Sequence, residues 1–132
     1  MFERWVENGL LDLLGNEGVG CIPFSPLAQG MLTDKYLKGI PTDSRAAKNA
    51  FLKESHITPE RIVQIQKLND IAQQRGQKLA HMALAWILKD SRVTSVLIGA
   101  SRPEQLTDSL QCLENTGFSE DELRGINEIL KA

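Results

Sequence analysis

The 132-residue sequence contains no apolar run near the ~20 residues that a membrane-spanning helix needs. Its first residues, Met1-Phe2-Glu3-Arg4-Trp5, lack the basic stretch and following apolar stretch of a signal peptide. Cysteine is scarce. Cys21 and Cys112 form neither a Cys-x-x-Cys pair nor any metal-ligand spacing. Cys21 lies in an apolar strand pattern and Cys112 in a helical one, so both read as reduced thiols, and a cytoplasmic location is the expectation. A concentrated charge of one sign is also missing. The net charge is -2, and Lys and Arg are spread along the chain. This excludes the basic face of an electrostatic nucleic-acid binder. The two histidines, His56 and His81, have no Asp or Cys arranged for acid–base work or metal binding, so both read as structural and no metal site is expected. What remains is an ordinary globular balance, 42% hydrophobic and 24% charged, long enough for one domain with a core.

Hydrophobic periodicity organises the chain. Phe2, Trp5, Val6, Leu10, Leu13 and Leu14 recur at helical spacing and predict a helix over 3–15, stopped by Gly15-Asn16-Glu17-Gly18. Residues 19–24 (Val-Gly-Cys-Ile-Pro-Phe) predict a short buried strand, with Pro23 near its end because proline cannot donate to a ladder. Residues 25–57 form a long connection, with a short helix over 31–37 and turn chemistry at 39–44. A connection of that length inside a compact domain is uncommon and often functional. Thr58-Pro59-Glu60 opens the next helix with an N-cap and a proline at its first position. Its apolar face is Ile62, Ile65, Leu68 and Ile71 or Ala72, and Gly76 ends it. Residues 79–89 are apolar nearly all round, which predicts a deeply buried helix. Residues 93–98 predict a second buried strand, broken by Gly99. Helices over 103–114 and 119–130 follow, the last opened by the capping box Ser119-x-x-Glu122. Strands separated by helices should lie parallel. Two of them do not make a stable sheet alone.

Two segments carry the chemistry. Phe24-Ser25-Pro26-Leu27-Ala28-Gln29-Gly30 leaves the end of the first strand. Ile98-Gly99-Ala100-Ser101-Arg102-Pro103-Glu104-Gln105 runs from the second strand into a helix. Ligands of α/β folds bind at the carboxyl ends of parallel strands. Gly30 and Gly99 let a ligand approach the backbone. A helix N-terminus attracts an anion, and Arg102 adds a donor fork matched to phosphate, so residues 99–105 read as a phosphate site. Plainer readings stand beside these. Ser101 to Glu104 is also an ordinary capping box with Arg102 solvated, and Ser25-Pro26 is also a turn ending a strand.

Together these segments resemble the aldo-keto reductases. Lys35-Tyr36, Asp43-Ser44-Arg45, Ile-Gly-Ala-Ser-Arg-x-Glu-Gln-Leu over 98–106 and the Ala-x-x-Ala-Leu-x-Trp pattern over 80–86 also belong to the resemblance. It covers essentially the whole chain and is strongest toward the bacterial L-glyceraldehyde 3-phosphate reductase group and the potassium-channel β-subunits. It implies an α/β fold, the C-terminal portion of a TIM (β/α)8 barrel, with parallel strands at about 19–24 and 93–98 and surrounding helices. Residues 1–132 would be the C-terminal part of one barrel domain. The implied cofactor is NADP (as NADPH). Ser25, Leu27 and Gln29, with Phe24 and Pro26 beside them, match positions at the pyrophosphate. Lys35 and Arg45 match basic residues on a loop that closes over the phosphates. Gly99, Ser101 and Arg102 match the adenosine 2′-phosphate site, and Gln105 and Asp108 match contacts to the adenosine. Ser109 stands where the family usually has Asn against the adenine. A hydroxyl is shorter and cannot offer a paired donor and acceptor.

The family's Asp, Tyr, Lys and His tetrad and its nicotinamide-holding Asn and Gln have no counterpart here, so no catalytic residue is expected. Tyr36 with Lys35 is not the missing pair, since both lie on the cofactor loop. Such a barrel normally takes ~250 residues, which makes this chain a fragment of an oxidoreductase whose parent reduces a small-molecule aldehyde or ketone. The competing expectation is a non-catalytic interaction or assembly module of the same fold, held together by self-association, with neither nucleic acid nor membrane as partner.

Overall fold

The run from Leu79 to Leu88 is apolar almost all round, and it becomes the centre of the molecule. The structure, a computed structural model, describes residues 1–37 and 57–131. Its helices are α1 (Leu10–Asn16), α2 (Pro59–Gln74), α3 (Leu79–Leu88), α4 (Pro103–Leu110) and α5 (Glu120–Lys131). Single 3-10 turns stand at Trp5–Glu7, Ala28–Gly30, Asp34–Tyr36 and Gln111–Glu114. Helix α3 buries Leu79, His81, Met82, Ala83, Leu84, Ala85 and Trp86. Ile65, Leu68 and Ala72 of α2, Ile126 of α5 and Leu32 of the long connection pack with it into one core cluster. Each fully buried aliphatic side chain contributes about 1.5–3 kcal/mol, so this cluster outweighs any single polar contact in the chain.

The ends of the helices follow local chemistry. The Thr58 hydroxyl accepts from the Arg61 amide at 3.2 Å and caps α2, with Pro59 in its first turn. Gly76 ends that helix at φ +68°, where a side chain would be strained. At α5 the Ser119 amide donates to Glu122 Oε2 at 2.7 Å, and the Glu122 amide donates to Ser119 Oγ at 3.2 Å. The predicted capping box is therefore formed. Arg75, its side chain only 3% exposed, binds α2 to the start of α5. It pairs with Glu122 at 2.7 Å, donates to the Gly117 carbonyl at 2.7 Å and lies 3.8 Å over the Phe118 ring.

Three elements depart from the expectations. The helix over 3–15 is broken: a 3-10 turn at Trp5–Glu7 gives way to Gly9 at φ +100°, and α1 starts afterwards. Trp5 and Leu13, assigned to its apolar face, are exposed. The helix over 103–114 is α-helical to Leu110 and then tightens into a 3-10 turn that buries Cys112. The short helix over 31–37 is reduced to the turn at Asp34–Tyr36, capped by Thr33. The turn at 39–44, Arg45 and His56 lie outside the described residues.

The two strands are a fourth departure. Segments 19–24 and 93–98 pair in parallel, as expected, but through two isolated rungs, Cys21 with Val93 and Phe24 with Leu97. The Thr94 amide donates to the Cys21 carbonyl at 2.9 Å, and the Leu97 amide to the Pro23 carbonyl at 3.0 Å. One more residue lies between the rungs on the second segment than on the first, so the ladder slips by one position. Pro23 has no amide to donate, which prevents a continuous ladder. Gly20 sits where the segments approach most closely, since a Cβ there would lie 2.5 Å from Thr94 Oγ1. Ahead of the second strand, Asp90 holds the Arg92 guanidinium at 2.6 Å, and Arg92 also reaches Asp12 of α1. The Arg92 hydrogen bond holds the Asp90 carboxyl down at about 2.

Neither segment is buried on both faces. Cys21 and Pro23 are half-buried, while Ile22 and Phe24 face outward, 61% and 80% exposed, beside Leu97 at 62%. Alternation with period two is what a strand gives when only one face is covered. Among the described residues each segment has the other as its sole ladder partner, so both outer edges are open. The isolated chain is therefore expected to self-associate or to remain partly unfolded at low micromolar concentration. Sedimentation velocity checks this. A tight monomer with a cooperative melt would mean that the exposed Ile22, Phe24 and Leu97 are tolerated without a partner.

Candidate functional site

The rung between Phe24 and Leu97 brings the two chemistry-bearing segments together. Residues 25–30 leave one strand end immediately beside residues 98–102 leaving the other. Both exits are at the carboxyl ends of the paired segments, where an α/β fold places its ligands.

The first exit is a tight, strained turn. Ser25, Ala28 and Gln29 adopt φ of 53°, 49° and 61°, and Gly30 follows at 97°. A left-handed conformation costs a side-chain-bearing residue roughly 1–2 kcal/mol, so three within five positions need support from their surroundings. The Ala28 amide donates to the Ser25 carbonyl at 3.0 Å, and the Gly30 and Leu32 amides both reach the Leu27 carbonyl. Gln29 Nε2 donates to Ser25 Oγ at 3.3 Å. Leu27, Ala28 and Met31 pack against the main core, and the buried Leu32 and Tyr36 fix the far side. The backbone of Ser25 and Phe24 is thereby held out on the surface.

The second exit is open. Gly99 has nothing within 4 Å of where a Cβ would sit. Arg102 is the residue before α4, extended at φ -145°, and no side chain caps the helix. The capping reading of Ser101 to Glu104 is thus not realised. Instead Gln105 Oε1 accepts from both the Ser101 amide at 2.9 Å and the Ser101 hydroxyl at 3.1 Å. Pro103 begins the helix, and the Gln105 amide returns to the Arg102 carbonyl at 3.1 Å. The side chains of Arg102 and Lys35 are exposed and make no hydrogen bond or ion pair among the described residues. Arg102, without an ionic partner among the described residues, stands at the start of α4 close to the open Gly99, a surface suited to an anionic ligand.

The residues expected at an adenosine end are engaged within the chain. The Ser109 hydroxyl donates to the Gln105 carbonyl of its own helix at 2.8 Å. Asp108 accepts from Lys78 at 2.5 Å through Oδ1 and meets His81 Nε2 at 3.1 Å through Oδ2. This corrects the expectation that His81 has no Asp in place. The residues are 27 positions apart, and only the packing of α3 on α4 joins them. One signal in the sequence was available: a histidine on an otherwise apolar buried helix needs a polar partner. Hydrogen bonding from Lys78, then from His81, keeps the Asp108 carboxyl below its ordinary range. Two concave surfaces among the described residues lie elsewhere, one between the N-terminal turn and α5 around Arg4 and Asn127, the other along α2 beside Ile129. Neither touches the candidate site. Among the described residues no group of His, Cys, Asp and Glu could hold a metal ion.

The site thus consists of two paired parallel exits, a glycine-bearing turn and an open helix start. The chain belongs to the aldo/keto reductase family, whose pattern matches residues 1–131. It is 53% identical over 134 residues to the L-glyceraldehyde 3-phosphate reductase of Escherichia coli O157:H7, an alignment that takes in 97% of this chain and 38% of that protein. A probable voltage-gated potassium channel subunit beta of Arabidopsis thaliana is 37% identical over 118 residues, covering 86% of this chain and 36% of its own length. The solved glycerol dehydrogenase of Gluconobacter oxydans shares the fold, with a TM-score of 0.77 at 20% identity over 98% of this chain and 39% of that one. The chain thus spans about two fifths of the length of the relatives it matches.

The strained turn gives a direct test. Ser25 is exposed and loses little packing on substitution. Ser25→Gly is expected to raise the unfolding free energy by about 0.5–1 kcal/mol, the left-handed strain relieved less the added freedom of the unfolded chain. Urea denaturation reads it. A loss of stability would mean that the hydroxyl's bond to Gln29 is worth more than the strain.

Proposed function

We propose that the chain is the cofactor-binding C-terminal part of an NADP-dependent aldo-keto reductase barrel, with the paired segments 19–24 and 93–98 as two of its parallel strands. The observation that carries this reading is the Phe24–Leu97 rung, which sets the turn 25–30 beside the open exit 99–102, where Arg102 has no ionic partner among the described residues. Phe24, Ser25, Pro26, Leu27 and Gln29 would line the pyrophosphate. Lys35, with Arg45 from the segment outside the described residues, would close over the phosphates. Gly99, Ser101 and Arg102 would take the 2′-phosphate, and Gln105, Asp108 and Ser109 would form the adenosine end. The residues fit such a group in charge and in access, since Gly99 leaves its backbone approachable and Arg102 has no competing carboxylate among the described residues.

In the parent enzyme the cofactor supplies hydride to an aldehyde or ketone, and the relatives' names favour a phosphorylated three-carbon aldehyde. This chain carries no proton donor for that reaction, so alone it reduces no carbonyl. A cytoplasmic setting fits its two free thiols, Cys21 and Cys112. Among the described residues no helix is long and apolar enough to cross a membrane. The outward face of Ile22, Phe24 and Leu97 favours a second reading, a non-catalytic assembly module that works through self-association or a partner chain.

Nucleotide titration followed by intrinsic fluorescence tests the first reading. NADPH should bind more tightly than NADH. Arg102→Ala should weaken NADPH by about 1.5–3 kcal/mol, the range of a hydrogen bond to a charged group, and leave NADH nearly unchanged. Equal weakening of both nucleotides would remove the 2′-phosphate assignment. Aldehyde turnover that purifies with the chain would show that a proton donor is present after all.

A further inference from the structure

We infer that His81, assisted by Lys78, is a positioning residue for the nucleotide end of the site: from α3 it holds Asp108 and so fixes where α4 presents Ser101 and Arg102. The inference rests on the cofactor reading above and adds to it a second layer of residues that touch no ligand.

Helix α4 is weakly anchored by apolar packing. It buries none of its own residues, and Leu106 and Leu110 are exposed. Its apolar hold on the core comes from the turn after it, where Cys112 is buried. At a rise of about 1.5 Å per residue, Arg102 lies some 15 Å along the axis from that anchor, so a small pivot there moves the guanidinium far. The Asp108 contacts supply a second fixed point nearer the site. Both carboxylate oxygens are taken, Oδ1 by Lys78 and Oδ2 by His81.

The two contacts are unequal. The Lys78 side chain is 65% exposed, and an ion pair in that setting contributes little. The His81 side chain is 6% exposed, so its ring nitrogen has no water to turn to if Asp108 is lost. With Asp108 held ionised, the carboxylate accepts and His81 Nε2 donates. The ring is fixed by burial within α3, and it fixes Asp108 in turn. Asp108 thereby serves the adenosine end from behind, and its carboxylate is not offered to the base or ribose.

The experiment uses the full chain in four forms: wild type, His81→Leu, His81→Gln and Lys78→Ala. Amide hydrogen exchange is measured in α2, α4 and α5, with NADP+ and NAD+ affinity in parallel. His81→Leu should speed exchange in residues 104–110 by about tenfold while α2 and α5 keep their protection. It should weaken NADP+ by about tenfold and NAD+ by no more than about threefold, because Ser101 and Arg102 serve the 2′-phosphate. His81→Gln keeps an N–H donor and should recover most of both effects. Lys78→Ala should change either by no more than about threefold. Unaltered exchange in α4, or equal loss across all three helices, overturns the inference. So does looser α4 with unchanged NADP+ affinity, which would leave the contact purely structural. A wild-type chain that binds neither nucleotide removes the cofactor reading instead, and the exchange data then decide alone whether His81 orders α4.

Discussion

Two backbone hydrogen bonds, from Thr94 to Cys21 and from Leu97 to Pro23, determine the arrangement of the candidate site. Residues 25–30 and 98–102 are separated by some seventy positions, and the parallel pairing of the segments before them is what makes them neighbours. The pairing is minimal, since Pro23 donates nothing and the register slips between the rungs. It holds because the segments are pressed together by what flanks them. Gly20 admits Thr94 at a distance no side chain would allow, and Arg92 ties the start of the second segment to Asp90 and Asp12.

Behind the rungs stands α3, and its composition explains the order of the rest. A helix apolar on nearly every side must be covered on nearly every side, so α2, α5 and the loop residue Leu32 pack around it. Polar contacts then set the angles that apolar packing leaves free. Arg75 does this between α2 and α5, with its guanidinium stacked on Phe118 and paired with Glu122. A nearly buried guanidinium is costly to desolvate, and it is tolerated here because carbonyl, carboxylate and ring all meet it.

What the sequence made legible follows from how local each signal is. Thr58 and Ser119 marked their helices because a cap needs only residues three apart, and both caps form. The apolar face of α2 and the burial of α3 came from periodicity, which survives in any tertiary setting. The two candidate segments were picked out by residue type, through Gly30, Gly99 and Arg102, and their adjacency came only with the rung between Phe24 and Leu97. The break at Gly9 was not legible, because the apolar spacing continues across it and only the positive φ interrupts the helix. Burial of the strands was misjudged for a related reason. An apolar run reveals what a segment seeks to cover, and whether Ile22 and Phe24 are covered depends on neighbours that no local pattern encodes. The pairing of His81 with Asp108 needed the docking of α3 on α4, and the left-handed Ser25, Ala28 and Gln29 carried no glycine to announce them.

The distribution of strain and support has a physical logic. The turn at 25–30 concentrates unfavourable backbone conformations at one strand exit, while the other exit is relaxed and open at Gly99. Strain of this kind persists only where surrounding structure over-determines it. Here Leu32 and Tyr36, fully or almost fully buried, hold the turn from one side, and the Phe24–Leu97 rung, with the Leu97 amide on the Pro23 carbonyl, holds its start. The open exit has no such enclosure, so its geometry falls to α4 and to the residues on α3 that grip it. A rigid wall facing an adjustable one suits a long, flexible anionic ligand. One end can be met by backbone already in place, and the other by Arg102 and Lys35, whose charges are left without partners among the described residues. A phosphate would bring those two charges the neutralisation that the described residues do not provide.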